Sequence, residues 1–242
     1  MRYKAIISYD GTNYSGYQKQ VNQLGIQTVI ERAFRLMTQI DIDTFASSRT
    51  DSGVHALYQV LHFDSDIDLK SDQWVDALNK RLPTDIRVNK VSKVKHNFHA
   101  RHSAKSKRYI YKIAKNPSTV FDGNHELYVK DFDIELVKDK LQTIVGTHDF
   151  SGYSPNRENK PPIKTIYSFN YKETKTHYIF NIHGNSFLRY MVRIIMGNVI
   201  AVATNKKPVD QLQILLDTKD RQQSAKTADA KGLYLKHIYY KA

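Results

Sequence analysis

Three residues that can do chemistry lie close together in the segment SSRTDSGVHA, residues 47 to 56: Arg49, Asp51 and His55. A Ser-Gly pair follows Asp51, and this pattern favours a turn because an Asp side chain can bond its own backbone and Gly permits positive φ. A guanidinium two residues away keeps a carboxylate ionised and can hold it by a forked hydrogen bond. Asp51 is therefore a candidate nucleophile, and Arg49 is the candidate partner that orients it.

The other polar clusters have ordinary explanations. His55 is more simply a strand histidine whose hydrogen bonds are satisfied. The acidic run DSDID, residues 64 to 68, could suggest metal ligands, but an acidic loop after a strand explains it as well. The chain has ten His in no metal-ligand spacing and no Cys, which excludes disulfides, thiol catalysis and thiolate metal sites. We expect no structural metal.

Charge points to the class of partner. Thirty-seven Lys and Arg against 24 Asp and Glu leave a net charge of +13, spread along the 242 residues. Such an excess favours a polyanion, and phosphate is the anion it fits best. No apolar run reaches the roughly 20 residues of a membrane-spanning helix, and the N-terminus does not have the layout of a signal peptide. We expect a cytoplasmic protein with no membrane contact.

Hydrophobic periodicity organises the first hundred residues as β-α-β-β-α-β. A strand ends at Asp10-Gly11, and a capping box formed by Thr28 and Glu31 predicts a helix to about Ile40. Two strand candidates, DTFASS and HALYQVLHF, flank the RTDSG turn. Ser71 is predicted to cap a second helix, and the strand candidate DIRVNKVSKV follows it.

The second half repeats this order with one added helix. It begins with the strand candidate KRYIYKIAK and a helix over about 133–145, followed by a hairpin of IKTIYSFNYKE and HYIFNIHG linked by residues 174 to 176. An apolar helix is predicted over about 186–203, a shorter one follows Pro208, and GLYLKHIYYK closes the chain. We predict an α+β fold of two ferredoxin-like halves, with a mainly antiparallel sheet and helices on one face. Residues 151 to 162 form the longest polar segment and are predicted to be a mobile loop.

The sequence RTDSGVHA resembles the [GS]RTD-x-GVHA signature of the TruA family of tRNA pseudouridine synthases. Further blocks resemble that family in the same order: YDGTNYSGYQKQ, TVIERAF, FHARHSAKSKRYIY, NSFLRYMVRIIMG and AKGLYL. The resemblance covers nearly the whole chain.

The resemblance implies two RRM-like halves that meet at a basic cleft, a homodimer, a tRNA substrate and no cofactor. The implied division is a catalytic half over 1–103 and a second half over 104–242 that supplies cleft residues. The implied reaction converts uridine to pseudouridine at positions 38, 39 and 40 of the tRNA anticodon stem-loop. Asp51 matches the family's essential aspartate, Arg49 its partner arginine, Tyr109 the tyrosine that contacts the target base, and Arg193 the arginine of the "MVR" block.

For two of these residues the pattern alone leaves alternatives open. Tyr109 and Tyr111 alternate along one strand and could both be core residues; the resemblance makes Tyr109 functional and leaves Tyr111 in the core. Arg189 and Arg193 lie four apart, so on a helix they share one face, and their charges must reach phosphate, a carboxylate or water. Whether a carboxylate would attack C6 of uracil or C1′ of ribose stays open.

Other functions remain alternatives. Ser48, Ser52 and Tyr17 depart from the commoner family residues and leave room for a paralogue with a different RNA target. Charge and sheet aromatics alone would also suit a non-catalytic RNA-binding module. A third alternative is a metal-dependent nuclease that uses the acidic clusters.

Overall fold

The computed structural model describes residues 1–155 and 162–241. Half of the predicted mobile loop at 151 to 162 lies outside the described residues. In the described half, Ser151–Tyr153 form a 3-10 segment in which Gly152 and Tyr153 are buried. Within the described ranges, no helix is long and apolar enough to cross a membrane. The strands and α-helices in chain order are β1 (Arg2–Tyr9), α1 (Ile26–Thr38), β2 (Phe45–Ala46), β3 (His55–Asp64), α2 (Ser71–Asn79), β4 (Ile86–Lys93), β5 (Ser106–Ala114), β6 (Leu127–Tyr128), β7 (Gly146–Asp149), β8 (Ile163–Glu173), β9 (His177–Gly184), α3 (Met191–Ala203), α4 (Gln211–Thr218) and β10 (Leu233–Tyr239).

The chain forms two compact units. The first contains Met1–Lys105 and Tyr234–Ala242, and the second contains Ser106–Leu233. By its contacts the C-terminal strand thus belongs with the N-terminal unit, although its position in the sequence groups it with the second half. Each unit is a mostly antiparallel sheet with helices, so the chain has the predicted mixture of α and β structure.

In the first unit, β1 lies between β4 and β3, and both pairings are antiparallel. The short strand β2 pairs with β3 in antiparallel orientation, and β10 pairs with β3 in parallel orientation at Tyr234 and Leu235. A bulge interrupts the β1–β3 register between Ile7 and Tyr9. This bulge lies next to the segment that leaves β1, where the candidate site begins.

Both helices of the first unit cover the same face of its sheet. Phe34 of α1 and Trp74 of α2 each pack on Phe63 of β3, with ring centroids 4.5 and 5.2 Å away, and Tyr3 of β1 stacks on the same ring at 5.3 Å. All four side chains are at most 1% exposed. Burial of each contributes about 1.5–3 kcal/mol, so this aromatic cluster holds helices and sheet together.

The second unit has strand order β5-β9-β8-β7, with β6 beside β5. The predicted hairpin is confirmed, because Thr174 N donates to the His177 carbonyl and closes the link between β8 and β9. Phe169 and Phe180 of this hairpin are buried, and so are most residues of the apolar helix α3.

Four helix predictions differ from the structure. Helix α2 begins at Ser71 itself and its N-cap is Lys70, so the predicted cap at Ser71 is wrong. Helix α1 begins at Ile26 with Gly25 as N-cap, so the predicted capping box is wrong: the Glu31 carboxylate accepts instead from the Thr44 N–H and hydroxyl. Residues predicted as a helix over 133–145 form two 3-10 segments, Ile134–Leu136 and Lys138–Ile144. Helix α3 begins five residues later than predicted because Tyr190 takes a left-handed φ of 58°.

Candidate active site

The candidate site begins where β1 ends and β3 starts. Tyr9 is paired with Ala56, and the pairing is antiparallel. The segment that follows β1 and the loop that precedes β3 therefore leave the sheet at the same edge. We refer to residues 10–17 as the Tyr14 segment and to residues 47–54 as the Asp51 loop.

Backbone hydrogen bonds from the Tyr14 segment hold the Asp51 loop on both sides of Asp51. Tyr17 N donates to the Thr50 carbonyl at 3.0 Å. On the other side, the Tyr14 carbonyl accepts from the Gly53 N–H at 3.3 Å and from the Ser52 hydroxyl at 3.2 Å. Val54 N donates to the Asp51 carbonyl at 3.2 Å and closes the turn. The backbone that carries the carboxylate is thus fixed before any ligand binds.

Two glycines make this packing possible. Gly53 has φ +76°, which confirms the predicted positive φ in the turn after Asp51. Gly16 has φ +94°, and a Cβ at this residue would lie 2.8 Å from the Thr50 carbonyl oxygen and 3.2 Å from the Asp51 carbonyl carbon. A side chain at residue 16 would therefore push the Asp51 loop away.

Two buried polar side chains support the loop from within the sheet, and sequence reasoning missed both. The Tyr9 hydroxyl lies 2.8 Å from the Thr50 hydroxyl. Gln59 is fully buried; its amide nitrogen donates to the Ser48 carbonyl at 2.7 Å, and its amide oxygen accepts from Ser48 N at 3.2 Å. Ser48 is not among the residues with positive φ, so its departure from the commoner Gly causes no strain there. The only sign of Gln59 in the sequence is a polar residue directly before the apolar strand residues VLHF, and this does not distinguish a buried position from an exposed one.

Asp51 itself is half-buried at the tip of this loop. Its neighbour Arg49 is exposed and lines an open groove of about 440 Å³ in the first unit. The pairing of Arg49 with Asp51 stays a prediction. A carboxylate on a rigid loop with part of its surface open can meet an incoming atom with little rearrangement.

His55 is a buried strand histidine, as its simpler explanation predicts. Its side chain stacks on Tyr234 with ring centroids 4.6 Å apart. Nδ1 lies 3.0 Å from the Asp10 carboxylate and 3.1 Å from Gly11 N. Nδ1 donates to Asp10 when it is protonated and accepts from Gly11 when it is not, since one nitrogen cannot do both. Either contact ties the start of β3 to the Tyr14 segment.

Tyr109 and Tyr111 lie on β5 in the second unit. Tyr111 is 1% exposed, its hydroxyl donates to the Asp229 carbonyl at 2.7 Å, and burial raises its pKa, so it is a core residue as predicted. Tyr109 is 7% exposed and meets the edge of Phe187 at 5.1 Å. Its role toward a base stays a prediction.

Arg193 lies in the first turns of α3. Its Nε donates to the Ala228 carbonyl at 2.9 Å, which fixes the plane of the guanidinium. Arg189 precedes the helix, which begins at Met191. The prediction that the two arginines share a helix face is therefore wrong. They meet instead around Tyr190, whose ring lies 5.3 Å from the Arg193 guanidinium carbon and 4.9 Å from that of Arg189.

The acidic run at 64 to 68 faces basic groups. The Asp64 carboxylate accepts from Nε and Nη2 of Arg2 at 2.8 and 2.7 Å, and this ion pair lowers the pKa of Asp64. Asp68 forms an ion pair with Lys93. The expectation of an ordinary acidic loop after β3 agrees with these contacts.

The chain is similar to known proteins over almost its whole length. The sequence profile described as tRNA pseudouridine synthase matches residues 5–103 and 141–241. A tRNA pseudouridine synthase A from Aster yellows witches'-broom phytoplasma (strain AYWB) is 42% identical over 238 residues, which are 98% of each chain.

Two further relatives carry the same name. The protein from Bacillus pumilus (strain SAFR-032) is 39% identical over 248 residues, 99% of each chain. That from Ligilactobacillus salivarius (strain UCC118) is 38% identical over 248 residues, 99% of this chain and 96% of the relative. The family model matches residues in both units, and the relatives align over almost the whole chain. The chain, with its RTD sequence in the Asp51 loop, therefore belongs to the TruA family of tRNA pseudouridine synthases.

Proposed function

We propose that this protein isomerises uridine to pseudouridine at positions 38, 39 and 40 of the tRNA anticodon stem-loop, with Asp51 as the nucleophile. The observation that carries the proposal is the rigid Asp51 loop, whose backbone is bonded to the Tyr14 segment on both sides of the carboxylate. Family membership supports the reaction, and the resemblance of the RTD block supports the residue.

The chemistry requires one nucleophile and no change of oxidation state. The Asp51 carboxylate adds to C6 of uracil or to C1′ of ribose, and the C1′–N1 bond breaks. The uracil turns, a C1′–C5 bond forms, and the bond to the Asp51 oxygen breaks, which regenerates the carboxylate. N1 gains a proton and C5 loses one, so product and substrate have the same composition. Either route needs the base outside its helical stack, which costs a few kcal/mol.

In this proposal two residues of the second unit bind the substrate. The Tyr109 ring stacks on the displaced uracil and returns part of the unstacking energy, about 1–3 kcal/mol per base. Arg193 contacts the RNA backbone, supported by the bond that orients its guanidinium. Arg49 holds Asp51 ionised when the substrate is bound.

The proposal extends to architecture and partners. In the first unit β3 pairs with both β1 and β2, and in the second unit β9 pairs with both β5 and β8, and this shared arrangement supports two duplicated RRM-like halves. The basic cleft is part of the same proposal. The division into a catalytic half over 1–103 and a second half over 104–242 belongs to the same proposal. The net charge of +13 supports an RNA partner. The family resemblance adds a cytoplasmic homodimer that uses no cofactor.

The test is to incubate the purified protein with unmodified tRNA and to map pseudouridine by carbodiimide modification and primer extension. We expect product at positions 38 to 40. Asp51→Asn should abolish product while the affinity for tRNA stays within about threefold, because the two side chains have the same shape. Asp76→Asn, an exposed carboxylate on α2, is the matched control and should retain full activity.

Each alternative gives a different result in this assay. Normal turnover by Asp51→Asn would refute the assignment of the nucleophile. A non-catalytic RNA-binding module would bind tRNA without product, and a paralogue would place product at another uridine. A nuclease would cut the RNA and stop when EDTA is added; the ion pairs of Asp64 and Asp68 do not favour it.

A further inference from the structure

The groove that Arg49 lines has a volume and a set of lining residues that suit a nucleotide. Its volume is about 440 Å³, which is within the roughly 300–1,000 Å³ of small-ligand sites. Arg101, His102 and His99 line it together with Phe45 and Asp43, and all of these belong to the first unit. We refer to it as the Arg101 groove.

We propose that the Arg101 groove binds one nucleotide of the RNA strand next to the target uridine, with its phosphate against Arg101 and Arg49 and its base on Phe45. This inference rests on the proposed function, because it takes RNA as the substrate. It assigns a binding role to Phe45 and Arg101, for which the sequence pattern gave no sign.

A preorganised turn presents Arg101. Ser103 N donates to the His99 carbonyl at 2.9 Å, and His99 N donates to the Ser103 hydroxyl at 3.0 Å. The Nδ1 atom of His99 accepts from the backbone N–H groups of Arg101 and His102 at 3.1 and 3.3 Å. The imidazole thus organises the turn from inside, while Arg101 and His102 are exposed. Little backbone entropy is lost when Arg101 meets an anion.

Phe45 supplies a stacking surface. It lies on the short strand β2 and is 50% exposed, so half of its surface is open to a ligand. Its ring is held by His62, with centroids 5.0 Å apart and planes 22° apart. A rigid, half-open aromatic ring beside a guanidinium is the arrangement on which single-stranded nucleic acid binds, since every base has a face that can stack.

The remaining lining favours a whole nucleotide over a bare anion. Asp43 is exposed in the same groove, and its carboxylate repels free phosphate but accepts hydrogen bonds from a ribose hydroxyl. Arg49 is two residues from Asp51, and two residues of extended chain span at most about 7 Å. A nucleotide in the groove is therefore a near neighbour of the one at Asp51.

The experiment compares two groove variants with two matched controls in the full-length protein. Arg101→Gln and Arg81→Gln each remove one exposed positive charge from the first unit, but only Arg101 lines the groove. Phe45→Leu and Phe121→Leu each remove an exposed aromatic ring, and Phe121 belongs to the second unit. Binding to unmodified tRNA is measured by fluorescence anisotropy at several salt concentrations, and product is measured as described above.

We expect each groove variant to raise Kd for tRNA by about tenfold or more and each control to change it by less than about twofold. Arg101→Gln should also reduce the slope of log Kd against log salt by about 0.7, the value for one phosphate of a single strand, and Arg81→Gln should not. The loss in kcat/KM should fall mainly in KM. Thermal unfolding midpoints equal to that of the parent protein establish that the variants fold.

Equal effects of groove and control variants would overturn the inference. If the parent protein forms pseudouridine and the groove variants bind tRNA as the controls do, only the Arg101 groove assignment fails. If the parent protein binds tRNA but forms no pseudouridine at any position, the proposed function fails, and the binding data still decide whether the groove holds RNA.

Discussion

Gly16 lies so close to Thr50 that a Cβ at residue 16 would stand 2.8 Å from the Thr50 carbonyl oxygen. This contact joins the Tyr14 segment to the residue that precedes the proposed nucleophile. It explains why the position of the Asp51 carboxylate depends on residues about 35 positions earlier in the chain.

Gly16→Ala should therefore impair catalysis more than folding. The methyl group meets backbone atoms, and residue 16 has φ +94°, so we expect a loss of about 1–3 kcal/mol in the free energy of unfolding. A shift of about 1 Å in the loop should lower kcat on the order of 100-fold. Gly123→Ala, outside the left-handed region and in the second unit, is the control for both measurements. Unchanged kcat in Gly16→Ala would show that the loop tolerates displacement.

The hydroxyl pair of Tyr9 and Thr50 can be tested by a double-mutant cycle. Tyr9→Phe or Thr50→Val alone leaves one buried hydroxyl short of a partner, which costs about 1–3 kcal/mol. The double variant should lose less than the sum of the two, because neither hydroxyl then remains. Urea unfolding measures each free energy. Strict additivity would indicate that the two hydroxyls do not support each other.

Tyr109 and Tyr111 should separate a substrate role from a structural one. Tyr109→Leu removes the proposed stacking ring and should lower kcat/KM by about 10- to 100-fold, whereas Tyr109→Phe keeps the ring and most of the activity. Tyr111→Phe removes the bond to Asp229 and should lower the free energy of unfolding by about 1 kcal/mol with KM unchanged. Equal kinetic effects of Tyr109→Leu and Tyr111→Phe would contradict the role of Tyr109.

His62 should make stability depend on pH. It is 2% exposed, and burial, together with the nearby charges of His99 and Arg2, lowers its pKa to about 4; Asp64 opposes this shift. The unfolded chain takes up this proton near pH 6.5 and the folded protein only near pH 4, so the stabilisation is complete above about 6.5 and is lost as the pH falls toward 4. The loss attributable to His62 is of the order of 3 kcal/mol.

The measurement is urea unfolding at pH 7, 6, 5 and 4. His62→Gln, which cannot titrate, should flatten the slope between pH 6.5 and 4. A smaller slope should remain, since the pKa of His99 is also lowered. The ion pair of Asp64 acts in a lower range, because its pKa lies below the ordinary value of 3.8 and its contribution is lost as the pH falls through that pKa. An unchanged slope in His62→Gln would assign the dependence to other groups.

The sequence predicted the elements well because burial repeats with the period of each structure. The buried residues of α1, Ile26, Ile30, Ala33 and Phe34, recur at helical spacing, and the strands around the RTDSG turn follow from their apolar content. Helix ends were less predictable. Thr28 and Glu31 have the spacing of a capping box, but a long-range contact between Glu31 and Thr44 decided the role of the carboxylate.

The sequence indicated the candidate reactive residue of the site but not the residues that hold its loop in place. Asp51 stands out because a reactive residue type lies in a turn pattern. Gln59 does not, because one polar residue in a strand fits an exposed position as well as a buried one, and only the tertiary structure shows that its amide bonds both backbone groups of Ser48. The role of Tyr14 could not be predicted from its residue type either, because its backbone carbonyl accepts the hydrogen bond and every residue has such a carbonyl.

Because the Tyr14 segment supplies several hydrogen-bond partners of the Asp51 loop, that loop would not keep its conformation outside this structure. If the loop alone were transplanted into another scaffold, the Thr50 carbonyl and the Gly53 N–H would lose their protein partners and bond to water. The Asp51 carboxylate would then no longer be held in one position. A transplant that keeps the geometry must carry both strand ends, the bulge beside them and the glutamine beneath.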